Sequence, residues 1–133
     1  MQLTQKQQVK LRQISDTQLY DKAEKFIEKN GVITNAQIAG LENITSTAAR
    51  LSDILKFVNH QADKDNKEIA AFYKQLKTEL ENIRNDVKNN RDFVPEGLIR
   101  KELSGHKEFF GLLFVREFIR HLSAEHRYRS GDE

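Results

Sequence analysis

The sequence predicts an all-α fold, a single-domain bundle of about five helices. Three observations carry that expectation. Apolar residues recur at steps of three and four along most of the chain, no stretch alternates with period two, and only one proline and six glycines interrupt the pattern. At 133 residues there is room for one modest core, and 38% hydrophobic against 32% charged residues suits a soluble, folded chain.

Residues 1–15 are rich in Gln and Lys, with Leu3, Val9, Leu11 and Ile14 loosely spaced. They read as a helical or frayed arm ahead of an all-α domain spanning 16–133. From Thr17 the pattern sharpens: Leu19, Tyr20, Ala23, Phe26 and Ile27 share a face, Asp16 or Thr17 can cap the start, and Asn30-Gly31 is a left-handed stop. Thr34-Asn35 opens a short helical segment through Ile38 and Leu41. A second, stronger start is expected at Ile44-Thr45-Ser46-Thr47, ahead of Leu51, Ile54, Leu55 and Val58.

Ala62 to Lys67 reads as a charged turn in which Asp65 or Asn66 can cap a long helix, which Asn89-Asn90 weakens at its end. That helix carries two stripes. Ile69, Phe72, Leu76, Leu80, Ile83 and Val87 form an apolar one, while Lys74, Lys77, Arg84, Lys88 and Arg91 form a cationic one about a quarter-turn away, with Glu81 among them. Pro95 suits the first turn of a further helix through Leu98, Ile99 and Leu103, which Gly105 is expected to stop. The last helix runs from about His106 to Tyr128. Its first half, Phe109 to Val115, is apolar nearly all round and should be the most buried element. In its second half Phe118, Ile119 and Leu122 face inward, and Arg116, Arg120 and Arg127 share the opposite face.

The chemistry the sequence lacks narrows its function. There is no glycine-rich phosphate loop, no Gly-x-Ser-x-Gly elbow and no His-Glu-x-x-His. His60, His106, His121 and His126 are not spaced to share a metal and read as surface or edge residues; acidic pairs such as Glu79 and Glu81 are what any solvated helix displays. No cysteine is present, excluding disulfides and thiolate sites. The expectation is a non-enzymatic protein with no catalytic residue, cofactor, metal or small-molecule substrate. The N-terminal residues lack the apolar run of a signal peptide, and no run is long enough to span a bilayer, so a cytoplasmic location without membrane contact is expected.

With a formal charge of only +2, affinity for a polyanion must come from local sorting of charge. Two readings of the cations stand open: a solvated face with i,i+4 pairing, or a surface that tracks phosphates without reading bases. Tyr73 and Tyr128 could stack on bases, but no aromatic platform accompanies them.

The C-terminal run Phe118-Ile119-Arg120-His121-Leu122-Ser123-Ala124-Glu125-His126-Arg127-Tyr128-Arg129-Ser130-Gly131 resembles the closing signature of the Csm small subunit of type III-A CRISPR effector complexes. Phe118, Leu122, Ala124, His126, Arg127, Tyr128 and Gly131 carry the likeness. Tyr20 to Ile27 is similar to that family's opening helix. Ile44 to Arg50 resembles its Leu-Thr-Thr-Ser-Gln-Ile-Arg helix start with Arg50 at the arginine, a rival placement being Ile33 to Ala39. Leu76-Lys77 resembles its next Leu-basic pair. Arg120 stands where the family has an acid, Glu125 where it has an aromatic, and the Ala-Gly-Arg step of the long helix is absent.

The resemblance implies a non-catalytic RNA-binding structural subunit in antiviral defence. Copies of such a subunit stand side by side and hold the backbones of guide RNA and target RNA without sequence specificity, beside the other Csm subunits. The residues expected to touch RNA are Arg50, Lys74, Lys77, Arg84, Lys88, Arg116, Arg120 and Arg127. The apolar start of the last helix suggests a weak homodimer of the isolated chain. The alternatives are a helical interaction scaffold that binds no nucleic acid, or the small subunit of another type III complex.

Overall fold

A helix that is apolar on most of its circumference must be surrounded, and the last helix organises the fold for that reason. The computed structural model describes residues 1–131. Helix α1 (Gln5–Ile14) passes through a π-helical turn (Ser15–Leu19) into α2 (Tyr20–Asn30) as one rod. Then follow α3 (Asn35–Thr47), α4 (Leu51–Ala62), α5 (Lys67–Lys88) and α6 (Arg100–Ser130). These five rods form one all-α bundle without strands among the described residues. Helix α6 packs against α2, α5, α3 and α4, and Phe110, Phe114, Val115, Phe118, Ile119 and Leu122 are all buried along it. None of the described helices is long and apolar enough to cross a membrane.

Several element ends differ from the sequence reading. Asp16 and Thr17 do not start a helix; the start is Thr4, whose Oγ1 accepts from the Gln7 N–H (3.0 Å) while Gln7 Oε1 accepts from the Thr4 N–H (3.0 Å). The π-helical turn brings Ile14 and Leu19, five residues apart, to the same buried side. An α-helical template cannot align that spacing, which is why the apolar residues of this segment look irregular in sequence.

The second start at Ile44 to Thr47 is also absent. Thr34 caps α3, its Oγ1 accepting from the Gln37 N–H at 3.2 Å, and α3 continues to Thr47. The hydroxyls of Thr45 and Thr47 instead donate backward to the Leu41 and Asn43 carbonyls, at 2.7 and 2.8 Å. Helix α4 begins at Leu51 without a side-chain cap. The caps of α5 and α2 are as expected: Asn66 Oδ1 accepts from the Glu68 and Ile69 N–H groups at 3.0 and 3.2 Å, and Gly31 ends α2 at φ 78°.

No helix forms at Pro95, and Gly105 stops nothing; it lies inside α6. The connection from 89 to 99 is organised by Phe93 and Val94, both fully buried. The Phe93 ring meets Phe110 and Phe114 edge-on at centroid distances of 5.3 and 5.0 Å. Each such pair contributes roughly 0.5–1.5 kcal/mol beyond area burial, and this anchoring outweighs the tendency of Pro95 to open a helix. A second aromatic chain joins Phe118, Phe26, Phe72, Tyr73 and Phe57 across α6, α2, α5 and α4. Gly111 allows α4 to approach α6 closely, since a Cβ there would lie 2.9 Å from Leu51 Cδ2.

Two outcomes follow for stability. Phe114→Ala removes a ring that is 3% exposed and packed on Phe93, and should cost roughly 3–5 kcal/mol in chemical denaturation. A loss below about 1 kcal/mol would rule out this packing. Gly105→Ala should stabilise the fold by roughly 0.5–1 kcal/mol, because the position is helical and nothing lies within 4 Å of the added Cβ. A lower melting temperature for that variant would argue that α6 does not continue through Gly105.

Candidate nucleic-acid interface

Helix α5 packs on α4 and α6 and is met on a further side by α2, and this decides where its charges go. Phe72, Tyr73, Leu76, Leu80, Ile83 and Val87 are buried against α4 and α6. On the remaining surface Lys74, Lys77 and Lys88 are exposed and Arg84 is half-buried. None of these four makes an ion pair among the described residues. Lys77 Nζ donates to Asn59 Oδ1 at 3.1 Å, so this flank adjoins α4. Lys74 stands at the other end of the row, lining a cleft of about 670 Å³ with Asn30, Val32, Ile33 and Gln75.

The other candidates have different surroundings. Arg50 precedes α4, exposed, with its Nη2 3.7 Å from Asp53 Oδ1. Arg116 Nε and Nη2 donate to the Thr45 and Ala48 carbonyls at 3.0 and 2.7 Å. They close the C-terminal end of α3, where helical carbonyls have no partner of their own and the helix dipole favours a cation. Arg127 grips the Glu42 carboxylate with both terminal nitrogens and donates to Ser123 Oγ at 2.9 Å, and Ser123 Oγ in turn donates to Glu42. Arg120 is exposed and donates to Glu117 Oε1 at 2.9 Å.

The face of α6 expected to point away from the core is thus partly turned to α3. Arg116 and Arg127 are half-buried in that seam because α3 supplies carbonyls and a carboxylate there. The fold brings Lys74, Lys77, Arg84 and Lys88 together on α5 and sets Arg116 and Arg127 apart from them.

Of the histidines, exposed His60 and half-buried His106 and His121 lie at the surface or its edge as expected, and one differs. His126 is fully buried, its Nε2 3.0 Å from the Ile33 nitrogen and 2.9 Å from the Ile33 oxygen, which ties the end of α6 to the connection before α3. His121 Nε2 lies 2.9 Å from Ser15 Oγ, which donates to Glu117 Oε1 at 2.7 Å, so a buried serine of the π-helical turn bridges the two side chains. Burial holds the His121 imidazole below its ordinary value. Burial alone would raise the Glu117 carboxyl, but hydrogen bonds from Arg120 and Ser15 leave it below its ordinary value. Tyr73 cannot stack on a base: it is buried, donates to the Gln37 carbonyl at 3.3 Å, and burial pushes its phenol up to about 12. Tyr128 is exposed.

Sequence reading missed the lysines of α2. Lys22, Lys25 and Lys29 follow one another at steps of three and four and line a cleft of about 580 Å³ against Gln75, Thr78 and Asn82 of α5. Two are paired, Lys22 with Glu79 at 3.3 Å and Lys25 with Asp21 at 2.9 Å. Among the described residues no group of three His, Cys, Asp or Glu side chains is placed to hold a metal ion. Comparison of the chain with protein-family models, with curated proteins and with solved structures finds no match.

The α3–α6 seam has a testable pH dependence. The hydrogen bond from Arg127, helped by Ser123, holds the Glu42 carboxyl below its ordinary value. Its contribution to stability is therefore complete above the unfolded carboxylate value of about 4.3 and is lost as pH falls through the lower folded value. Glu42→Gln should be less stable at neutral pH and should lose less stability than wild type between about pH 5 and 3. Denaturant titrations across that range check this; an unchanged acid slope would mean the pair contributes nothing.

Proposed function

We propose that this protein is a non-catalytic structural subunit that holds RNA by its phosphate backbone. The observation that carries the reading is the row of Lys74, Lys77, Arg84 and Lys88 on the outer side of α5, with no carboxylate paired to any of them among the described residues. At 1.5 Å per residue the row is about 21 Å long, enough to follow several phosphates. An A-form duplex suits such a surface, since its deep, narrow groove hides base identity and leaves backbone and shape to be recognised. Asn82, Asn85, Asn89 and Asn90 lie along the same helix and its end and can add neutral hydrogen bonds to phosphate or ribose.

The resemblance of the C-terminal run to the Csm small subunit supports the more specific reading. In it the chain is the small subunit of a type III-A CRISPR ribonucleoprotein, with several copies lining guide RNA and target RNA while other subunits carry the chemistry. Within this proposal Arg50 and the α5 row meet RNA, Arg120, which borders α1 and α3, would be a separate contact that requires releasing Glu117, and Arg116 and Arg127 serve the fold. A scaffold that binds only protein is the second reading. It is favoured by Ile99, 64% exposed, beside the half-buried Leu98, Leu103 and Phe109 at the start of α6.

The test is a salt titration of RNA affinity for wild type and for the variant with Lys74, Lys77, Arg84 and Lys88 replaced by alanine. Each lost contact should flatten the dependence of log affinity on log salt by about 0.7–0.9 and weaken unrelated sequences by similar factors. Melting should change little for the three exposed lysines, which contribute roughly 0–1 kcal/mol each, and any larger loss should trace to the half-buried Arg84 stem, checked with Arg84→Ala alone. An unchanged slope in the folded variant would leave the protein-scaffold reading in place.

A further inference from the structure

The N-terminal segment carries charge in a way the α5 row does not explain. Residues 1–15 contain Lys6, Lys10 and Arg12 and no acid, together with Gln2, Gln5, Gln7, Gln8 and Gln13. The fold sets this segment against the end of a second basic stretch, 84–91, which holds Arg84, Lys88 and Arg91 against a single acid, Asp86. The two meet in a cleft of about 620 Å³ between α1 and the 89–99 connection, walled by Lys6, Lys10, Gln13 and Val9 on one side and by Arg91 and Asp92 on the other.

Both walls are fixed. Gln7 completes the α1 capping box and also donates its Nε2 to the Asp92 carbonyl at 2.9 Å, joining the two sides. Behind Arg91 and Asp92, Phe93 and Val94 are fully buried, and Asn90 Oδ1 accepts from the Asp92 N–H at 3.0 Å. The cations in this frame are weakly engaged. Lys6 makes no ion pair among the described residues; Lys10 Nζ is 3.9 Å from Asp92 Oδ2, and Arg91 Nε is 3.3 Å from Glu96 Oε1, both between exposed partners. Lys6, Lys10 and Arg91 are set against two carboxylates, Asp92 in the lining and Glu96 beyond it, and Val9, 55% exposed, leaves an apolar surface uncovered beside them. A polynucleotide strand offers regularly spaced phosphates to these cations and an unstacked base or ribose to Val9; an acidic peptide with an apolar side chain is the competing occupant.

We infer that this cleft is a second phosphate-backbone site, taking a single RNA strand where it leaves the end of α5. The inference rests on the RNA-binding reading and extends it: Lys88 ends α5 and Arg91 follows at the cleft mouth, so the α5 row and the cleft lie consecutively along the chain. Lys6, Lys10 and Arg91 contact phosphates there, and the Gln13 amide adds a neutral donor.

The experiment uses the full chain and a mixed-sequence single-stranded RNA of about 30 nucleotides, with affinity measured across a salt series. Lys6→Gln/Lys10→Gln/Arg91→Gln should flatten the log–log slope by about 0.7 per contact, which is roughly fivefold weaker binding per contact at about 0.1 M salt. The charge-retaining Lys6→Arg/Lys10→Arg/Arg91→Lys should keep the wild-type slope, and circular dichroism melts should show both variants folded. If the glutamine variant keeps the wild-type slope while the α5 alanine variant loses its own, the cleft is not a site and the α5 reading stands. If wild type shows no salt-dependent RNA binding, both fall. A glutamine variant flattened as expected while the α5 variant is not would place RNA in the cleft and remove it from α5.

Discussion

The fold depends on covering α6. From Phe110 to Leu122 its apolar residues point in nearly every direction, so no single partner helix can bury them. Four helices do so together, and two of these, α3 and α4, are only 13 and 12 residues long. Isolated helices of that length are marginal in water, so their order comes from docking on α6. The polar fastenings are concentrated on α3 and the connection before it. Arg116 holds the end of α3, Arg127 and Ser123 hold Glu42 in its middle, and His126 holds the connection before it.

That arrangement divides the basic residues by their partners. A half-buried guanidinium bonded to carbonyls or gripping a carboxylate with two nitrogens has fixed geometry and reduced solvent screening, and its removal leaves a polar group unsatisfied. An exposed lysine on α5 has neither feature. Replacing it alters the local potential far more than the stability. Arg116 and Arg127 belong to the first kind, Lys74, Lys77 and Lys88 to the second. Arg120 stands between, with its partner Glu117 also held by the Ser15 hydroxyl.

Where the sequence was legible, one helix carried its own explanation. The two stripes and the Asn66 cap of α5 are local facts, and the buried and exposed residues fall where the spacing puts them. The apolar block from Phe109 to Val115 was legible as core, although Phe109 and Leu113 are only half-buried and the deepest burial of α6 lies from Val115 onward, at Phe118, Ile119 and Leu122. Misreadings came wherever a distant residue decided the matter. Arg116, Arg120 and Arg127 do share one face, but their periodicity cannot reveal that α3 brings Thr45, Ala48 and Glu42 to part of it. Gly105 resembles a stop until the burial of Phe93 and Val94 shows that the connection ends earlier, leaving α6 free to start at Arg100. Residues 1–15, read as a helical or frayed arm, are a helix whose apolar residues look loosely spaced because Val9 stays exposed while Ile14 is buried.

A chain of net charge +2 can still present strongly positive surfaces if its acids are drawn elsewhere, and the structure shows how that sorting arises. Glu42, Glu117 and Glu125 all have basic partners within the bundle: Arg127, Arg120 and Arg129. Glu79 and Asp21 are matched by lysines of α2. Pairing of this kind neutralises the α3–α6 and α2–α5 seams. Cations outnumber acids on the outer side of α5, where Glu81 stands among them, and on the acid-free α1, where Lys10 has only Asp92 at 3.9 Å; the two segments lie more than fifty residues apart in sequence. Positive potential therefore accumulates where the bundle has least need of ion pairs, because α5 is secured by its buried stripe and α1 by its capping box and the Gln7 bond to Asp92. Apolar packing and neutral hydrogen bonds carry most of the fold on that side, and the cations add to it only such exposed contacts as Lys77 to Asn59 and Lys10 to Asp92.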